Sequence, residues 1–184
     1  GPAGLMAALT AARSGADVIL ADEDAPMGGR LNCESERIGG QPGHAWAAGV
    51  VAELAAMDNV RLMKRTTVTG AYDGGTYGAL ERVAHHGNDA ADLPKECFWR
   101  IAAKRAVLAA GALERPVAFQ NNDRPGIMLA SGVRAYVNRW NVAPGKAVAV
   151  FGNNDSAHDT AADLLAAGVH VSALIDSRPE ATTD

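Results

Sequence analysis

The chain has 184 residues, 48% of them apolar and 21% charged, and carries a formal net charge of −4. That is room for one folded domain with a core, or one plus the start of another, and it offers no basic footprint for nucleic acid or an anionic membrane surface. No apolar run approaches the ~20 residues of a spanning helix. No signal peptide is visible, and Cys33 and Cys97 fit neither a C-x-x-C redox pair nor a zinc knuckle, so they read as free thiols of a cytoplasmic protein.

Gly1 and Gly4, in Gly1-Pro2-Ala3-Gly4, match the last two glycines of a G-x-G-x-x-G dinucleotide fingerprint. The first of them lets backbone approach a pyrophosphate, and the second lets the following helix pack close to a sheet. A helix over 5–14 then turns its free N–H groups and positive dipole end toward phosphate. A turn at Gly15-Ala16 leads into a strand over 17–21 that ends in Asp22-Glu23. From Gly1 to Asp22 is the spacing at which a carboxylate meets a ribose hydroxyl pair, and two carboxylates there disfavour the 2′-phosphate of NADP. Gly28-Gly29 and Arg30 follow, Arg30 either meeting the nucleotide or forming a surface ion pair. The fingerprint's first glycine and its feeding strand would lie before Gly1. The chain is therefore expected to be a fragment cut inside the motif, poorly soluble unless it borrows a strand.

Further along, Trp46, Val50, Leu54 and Met57 share one face of a helix over 44–58, which Asn59 ends. Residues 60–68 read as one strand. Gly70, Gly74, Gly75 and Gly78 mark turns of a meander, with antiparallel strands over 79–84 and 97–102 around a polar loop, 85–95, that carries His85-His86. The apolar run 106–110, ending at Gly111, suits a buried parallel strand. Residues 112–126 are irregular, and 129–140 form an amphipathic helix with Val133, Val137 and Trp140 along one side. Trp46, Trp99 and Trp140 read as packing residues.

A second strand–loop–helix–strand unit runs from strand 146–151 through helix 158–167 to strand 169–175, ending at Asp176. Its fingerprint is degenerate: Gly152 is present, but Asn154 and Ala157 replace the other glycines, so no tightly bound nucleotide is expected there. Ser156, His158 and Asp159 cannot all converge at one helix start, and Asp155 or Ser156 reads as a helix cap. The fold class is α/β: a doubly wound, Rossmann-like parallel sheet with a β-meander, then the start of a second βαβ unit. The expected division is a dinucleotide-binding domain over 1–115, a connecting segment over 116–144 and the second domain's start over 145–184.

Several segments together carry a family resemblance: Gly-Pro-Ala-Gly, 21–31, 65–70, 109–116 (Ala-Ala-Gly-Ala-Leu-Glu-Arg-Pro), 122–129 and 153–157. In this order they resemble the α subunit of heterotetrameric sarcosine oxidase, across essentially the whole chain. The resemblance implies a complex with β, γ and δ subunits that oxidatively demethylates N-methylglycine with FAD, FMN, tetrahydrofolate and oxygen. It implies a non-covalent NAD in this chain, contacted by Ala3, Asp22, Glu23, Arg30, Thr67 and Val68 beside Gly1, Gly4, Gly29 and Gly111. No catalytic base, nucleophile or metal site is expected, and the chain alone should not oxidise sarcosine. Two other readings stay open: an FAD/NAD(P) flavoprotein of the disulfide-oxidoreductase type or a related amine or opine dehydrogenase α subunit, and a non-enzymatic nucleotide-stabilised scaffold.

Overall fold

The computed structural model describes residues 1–84 and 93–179. In chain order its elements are α1 (Pro2–Arg13), β1 (Val18–Ala21), β2 (Arg37–Ile38), β3 (Gln41–Pro42), α2 (Gly43–Ala55), β4 (Val60–Met63), β5 (Thr66–Tyr72), β6 (Thr76–Arg82), β7 (Glu96–Ala102), α3 (Ala130–Arg134), β8 (Ala147–Gly152), α4 (Ser156–Ala166) and β9 (His170–Asp176). A 3-10 turn covers Gly29–Asn32, and a π-helical turn, Ala135–Arg139, continues α3. The chain forms two compact units: Gly1–Gly29 with His44–Gly111, and Arg30–Gly43 with Ala112–Asp184.

In the first unit, α1 starts with proline in its first turn, where the missing N–H costs no helical bond. It buries Leu5, Ala8, Leu9 and Ala12, a single stripe at helical spacing. Gly15, at φ 87°, turns the chain into β1. β1 pairs in parallel with β4, from Val18 opposite Val60 to Ala21 opposite Met63. Asn59 ties this βαβ crossover together, its Nδ2 donating to the carbonyls of Ala12 and Ala16 at 3.0 and 2.8 Å. α2 buries Ala47, Val50 and Leu54, while Trp46 and Met57 are only half-buried.

The expected single strand over 60–68 is two strands. A turn at Lys64-Arg65 separates them, with Arg65 at φ 52° and its N–H bonded to the Asp24 carbonyl. Gly74 and Gly75 turn β5 into β6 as expected, at φ 70° and 71°. Gly70 and Gly78 instead lie inside strands, opposite one another beside a bulge that follows Val68. They are glycines for side-chain room: the Tyr72 ring lies over both, and the Phe98 ring over Gly78. β7 completes the antiparallel meander, where Trp99 donates to Glu81 at 2.6 Å and lies under the Arg61 guanidinium. The run 106–110 forms no strand. No ladder bonds reach it among the described residues, and Val107 and Leu108 are exposed. His85 and His86 lie outside the described residues.

In the second unit β8 and β9 pair in parallel and α4 covers one face. Val133, Val137, Val150, Ala157, Ala161, Leu164 and Val169 form the core. The expected helix over 129–140 is a short α-helix followed by the π turn, which ends as Trp140 N–H bonds the Ala135 carbonyl. Trp140 does not pack inward: it is exposed beneath Arg139.

Candidate dinucleotide site

The first loop and helix α1 present unused donors. The first intrahelical bond is from Leu5 N–H to the Gly1 carbonyl, and no side chain caps the helix. The N–H groups of Ala3 and Gly4 therefore have no partner among the described residues, and both lie at the positive end of a helix of 12 residues. A Cβ on Gly1 would lie 4.0 Å from the Gly28 carbonyl. At φ 58°, a Cβ on Gly29 would lie 2.8 Å from the Gly1 Cα, so the backbone of 28–29 can stand against the first loop only as glycine. Gly4 does what its fingerprint position asks, in part: a Cβ there would come 3.3 Å from that of Ala109, although segment 106–110 is not a strand.

The acidic pair sits at the end of β1. Asp22 is half-buried, and its backbone bonds both to Met63 and to Thr66. One carboxylate oxygen accepts the Asp24 N–H at 3.0 Å, which fixes the side chain and leaves Oδ2 without a partner among the described residues. Glu23 is exposed. The bond from Thr66 N–H to the Asp22 carbonyl, 2.8 Å, brings the start of β5 to Asp22, so Thr67 and Val68 follow directly along that strand. β5 is an edge strand, with alternate backbone groups facing away from β6. Thr67 is half-buried and Val68 exposed. Gly111 is exposed at φ 73°, at the end of the 106–110 segment.

Arg30 belongs to the second unit, where its Nε pairs with Glu34 at 2.5 Å. Glu34 opens onto a buried network that local sequence patterns do not announce, because its members are far apart along the chain. Asp163 of α4 is 5% exposed and accepts from Arg134 Nε (2.7 Å), Asn138 Nδ2 (2.7 Å) and Ser35 Oγ (2.5 Å). Arg134 also reaches Glu34 at 3.5 Å, and Asn138 donates to the Cys33 carbonyl. Burial alone would raise the Asp163 pKa, but the bonds from Ser35, Arg134 and Asn138 outweigh it and hold the carboxyl below its ordinary value.

The second loop is built differently. Asp155 is the N-cap residue of α4, as expected, but its side chain makes no capping bond. The side chain that bonds the helix start is that of Asn154, whose Oδ1 accepts both the Ser156 N–H (3.1 Å) and the Ser156 hydroxyl (2.6 Å). A Cβ on Gly152 would come within 2.6 Å of the Ala157 Cβ, so this glycine admits the helix itself. Ser156, His158 and Asp159 do not converge, because His158 turns to Asp176 at 3.1 Å. Both cysteines are free thiols, and no helix of the described residues is long and apolar enough to cross a membrane.

No protein-family model matches the chain. The sarcosine oxidase subunit alpha of Rhizobium meliloti (strain 1021) is 50% identical over 185 residues, covering the whole of this chain and 19% of that protein. The subunit of the same name from Corynebacterium sp. (strain P-1) is 49% identical over 181 residues, covering 97% of this chain and 19% of that protein. Among solved structures, L-proline dehydrogenase from P. horikoshii matches with a TM-score of 0.76 and 27% identity, covering 99% of this chain and 35% of that one. The chain spans about a fifth of the length of the curated relatives it matches.

Proposed function

From the chain's homology, over its whole length, to the alpha subunits of sarcosine oxidase, we propose that it is the dinucleotide-holding part of an oxidoreductase alpha subunit, with NAD on the first loop. The observation that carries this reading is the pair of N–H groups of Ala3 and Gly4 at the start of α1, without a partner among the described residues. The pyrophosphate takes those donors and the helix dipole, an arrangement that costs no reorganisation. Asp22 Oδ2 takes the adenosine ribose hydroxyls, with Glu23 adding a second negative charge that turns away a 2′-phosphate. The free edge of β5 at Thr67 and Val68 borders the adenine, and the Gly111 turn is the remaining contact.

The parent protein, on this reading, belongs to a complex with β, γ and δ subunits in the cytoplasm. That complex demethylates N-methylglycine, using FAD and FMN and passing the one-carbon unit to tetrahydrofolate. This chain's part is to bind and present NAD; proton abstraction from the amine falls to other subunits. The test is to denature the purified full-length protein and identify the released nucleotide by mass. NAD is expected. FAD as the sole nucleotide recovered from this chain's unit would replace the reading with the flavoprotein alternative. Absence of any sarcosine-dependent peroxide from the whole complex would remove the assigned substrate while leaving the nucleotide assignment standing.

A further inference from the structure

The helix–strand pair α4–β9 of the second unit corresponds to α1–β1 of the first, and it ends in an acid, Asp176, where β1 leads into Asp22. A nucleotide in such a unit needs three things: free N–H groups at the helix start, a glycine whose missing side chain makes room, and a free carboxylate at the end of the second strand. Each of the three is spent internally here. The Ser156 N–H goes to Asn154 Oδ1, the Ala157 N–H to the Asn154 carbonyl and the His158 N–H to the Asp155 carbonyl. The room at Gly152 is filled by Ala157. Both oxygens of Asp176 are engaged: Arg178 donates to them from Nε (3.1 and 3.0 Å) and Nη2 (2.6 Å), its backbone N–H adds a bond to Oδ1, and His158 lies 3.1 Å from Oδ2.

The other arm of Arg178 reaches Asp155, the residue before α4, at 2.8 Å. One guanidinium thus joins the end of β9 to the start of α4, across the position where a ligand would lie. The Ser177 N–H closes the same gap at the backbone level, donating to the Gly152 carbonyl at 2.9 Å. Asp155 and Asp159 also place negative charge at the helix start, which suits the dipole and repels phosphate.

We infer that Arg178 is an internal stand-in for a nucleotide: it clamps Asp155 to Asp176 and closes the second βαβ unit, so that the two units together take one dinucleotide, at the first loop. Arg178 holds Asp176 far below the ordinary carboxylate range, and its own pKa is raised in return.

The test uses the full-length protein in two arms. In the first, photolabelling with 8-azido-NAD is expected to mark first-loop peptides and leave peptides within 152–178 unmarked. Labelling of 152–178 in the wild type, at a level comparable to the first loop, would overturn the inference. Failure to label the first loop alone would count against the NAD reading and not against the clamp. In the second arm, Arg178→Ala is expected to speed amide exchange in 152–158 and 174–178 at least tenfold while leaving the first-loop label intact. Unchanged exchange in those peptides would show that Arg178 closes nothing. Arg178→Gln, which keeps much of the side chain's length without the charge, serves the same comparison if the alanine variant does not fold.

Discussion

At the scale of single residues, two positions of the candidate site separate the proposed nucleotide contact from local architecture. Asp22 is held in one orientation by the Asp24 N–H with its second oxygen free, so removing it should cost binding and little else. Asp22→Ala is expected to weaken NAD by about 1–3 kcal/mol, the scale of a lost hydrogen bond to a charged group, with the melting temperature nearly unchanged. Gly29→Ala acts on architecture. It forces an alanine to φ 58° and its Cβ to within 2.8 Å of Gly1, so thermal unfolding should show a loss of ~1–2 kcal/mol or more from the left-handed backbone alone. Asp22 is a candidate in the sequence because its spacing from Gly1 is a property of one helix–strand unit. The Asp163 cluster is not: Ser35 lies 128 residues from Asp163 and Arg134 lies 29 away, and no local pattern encodes such contacts.

At the scale of elements, propensity placed most helices and strands and failed where backbone geometry or ladder pairing decides. The turn that splits 60–68 rests on Arg65 in a left-handed conformation, where no glycine, asparagine or proline signals it. The run 106–110 has a strand's composition, but a strand exists only where a neighbour bonds it, and none does among the described residues. Asp155 takes the N-cap position of α4, but the side chain that bonds the first helical N–H is that of Asn154, one residue before it. Two predictions belong here. Asn59→Ala removes both bonds to the end of α1 and should destabilise the first unit by roughly 1–3 kcal/mol in chemical denaturation, at about 0.5–1.5 kcal/mol for each bond. Asp163→Ala leaves Arg134 buried with a weakened partner set and should cost the second unit about 3–5 kcal/mol by the same measurement.

The Asp163 network also sets an acid limit. Its folded pKa is lowered from 3.8, so the unfolded state takes up the proton first as pH falls. The stability it contributes is present above about pH 3.8 and is lost as pH falls through the lower folded value. An acid titration of the second unit should therefore show a transition below pH 3.8 that Asp163→Asn removes.

At the scale of the molecule, the helix starts of α1 and α4 use their loops in opposite ways. The first leaves the N–H groups of Ala3 and Gly4 and one oxygen of Asp22 free; the second binds the equivalent groups to its own side chains and backbone. The composition and the alternation of helix and strand were enough to read the α/β class, and the spacing of Gly1, Gly4 and Asp22 points to the proposed site. The measurement that tests the central claim most directly is a calorimetric titration of the nucleotide-free, full-length protein with NAD and, separately, with NADP. NAD is predicted to bind at one site per chain and at least tenfold more tightly than NADP, because Asp22 and Glu23 repel the 2′-phosphate. Equal or tighter binding of NADP, or no binding of either, would contradict the assignment of the first loop as an NAD site.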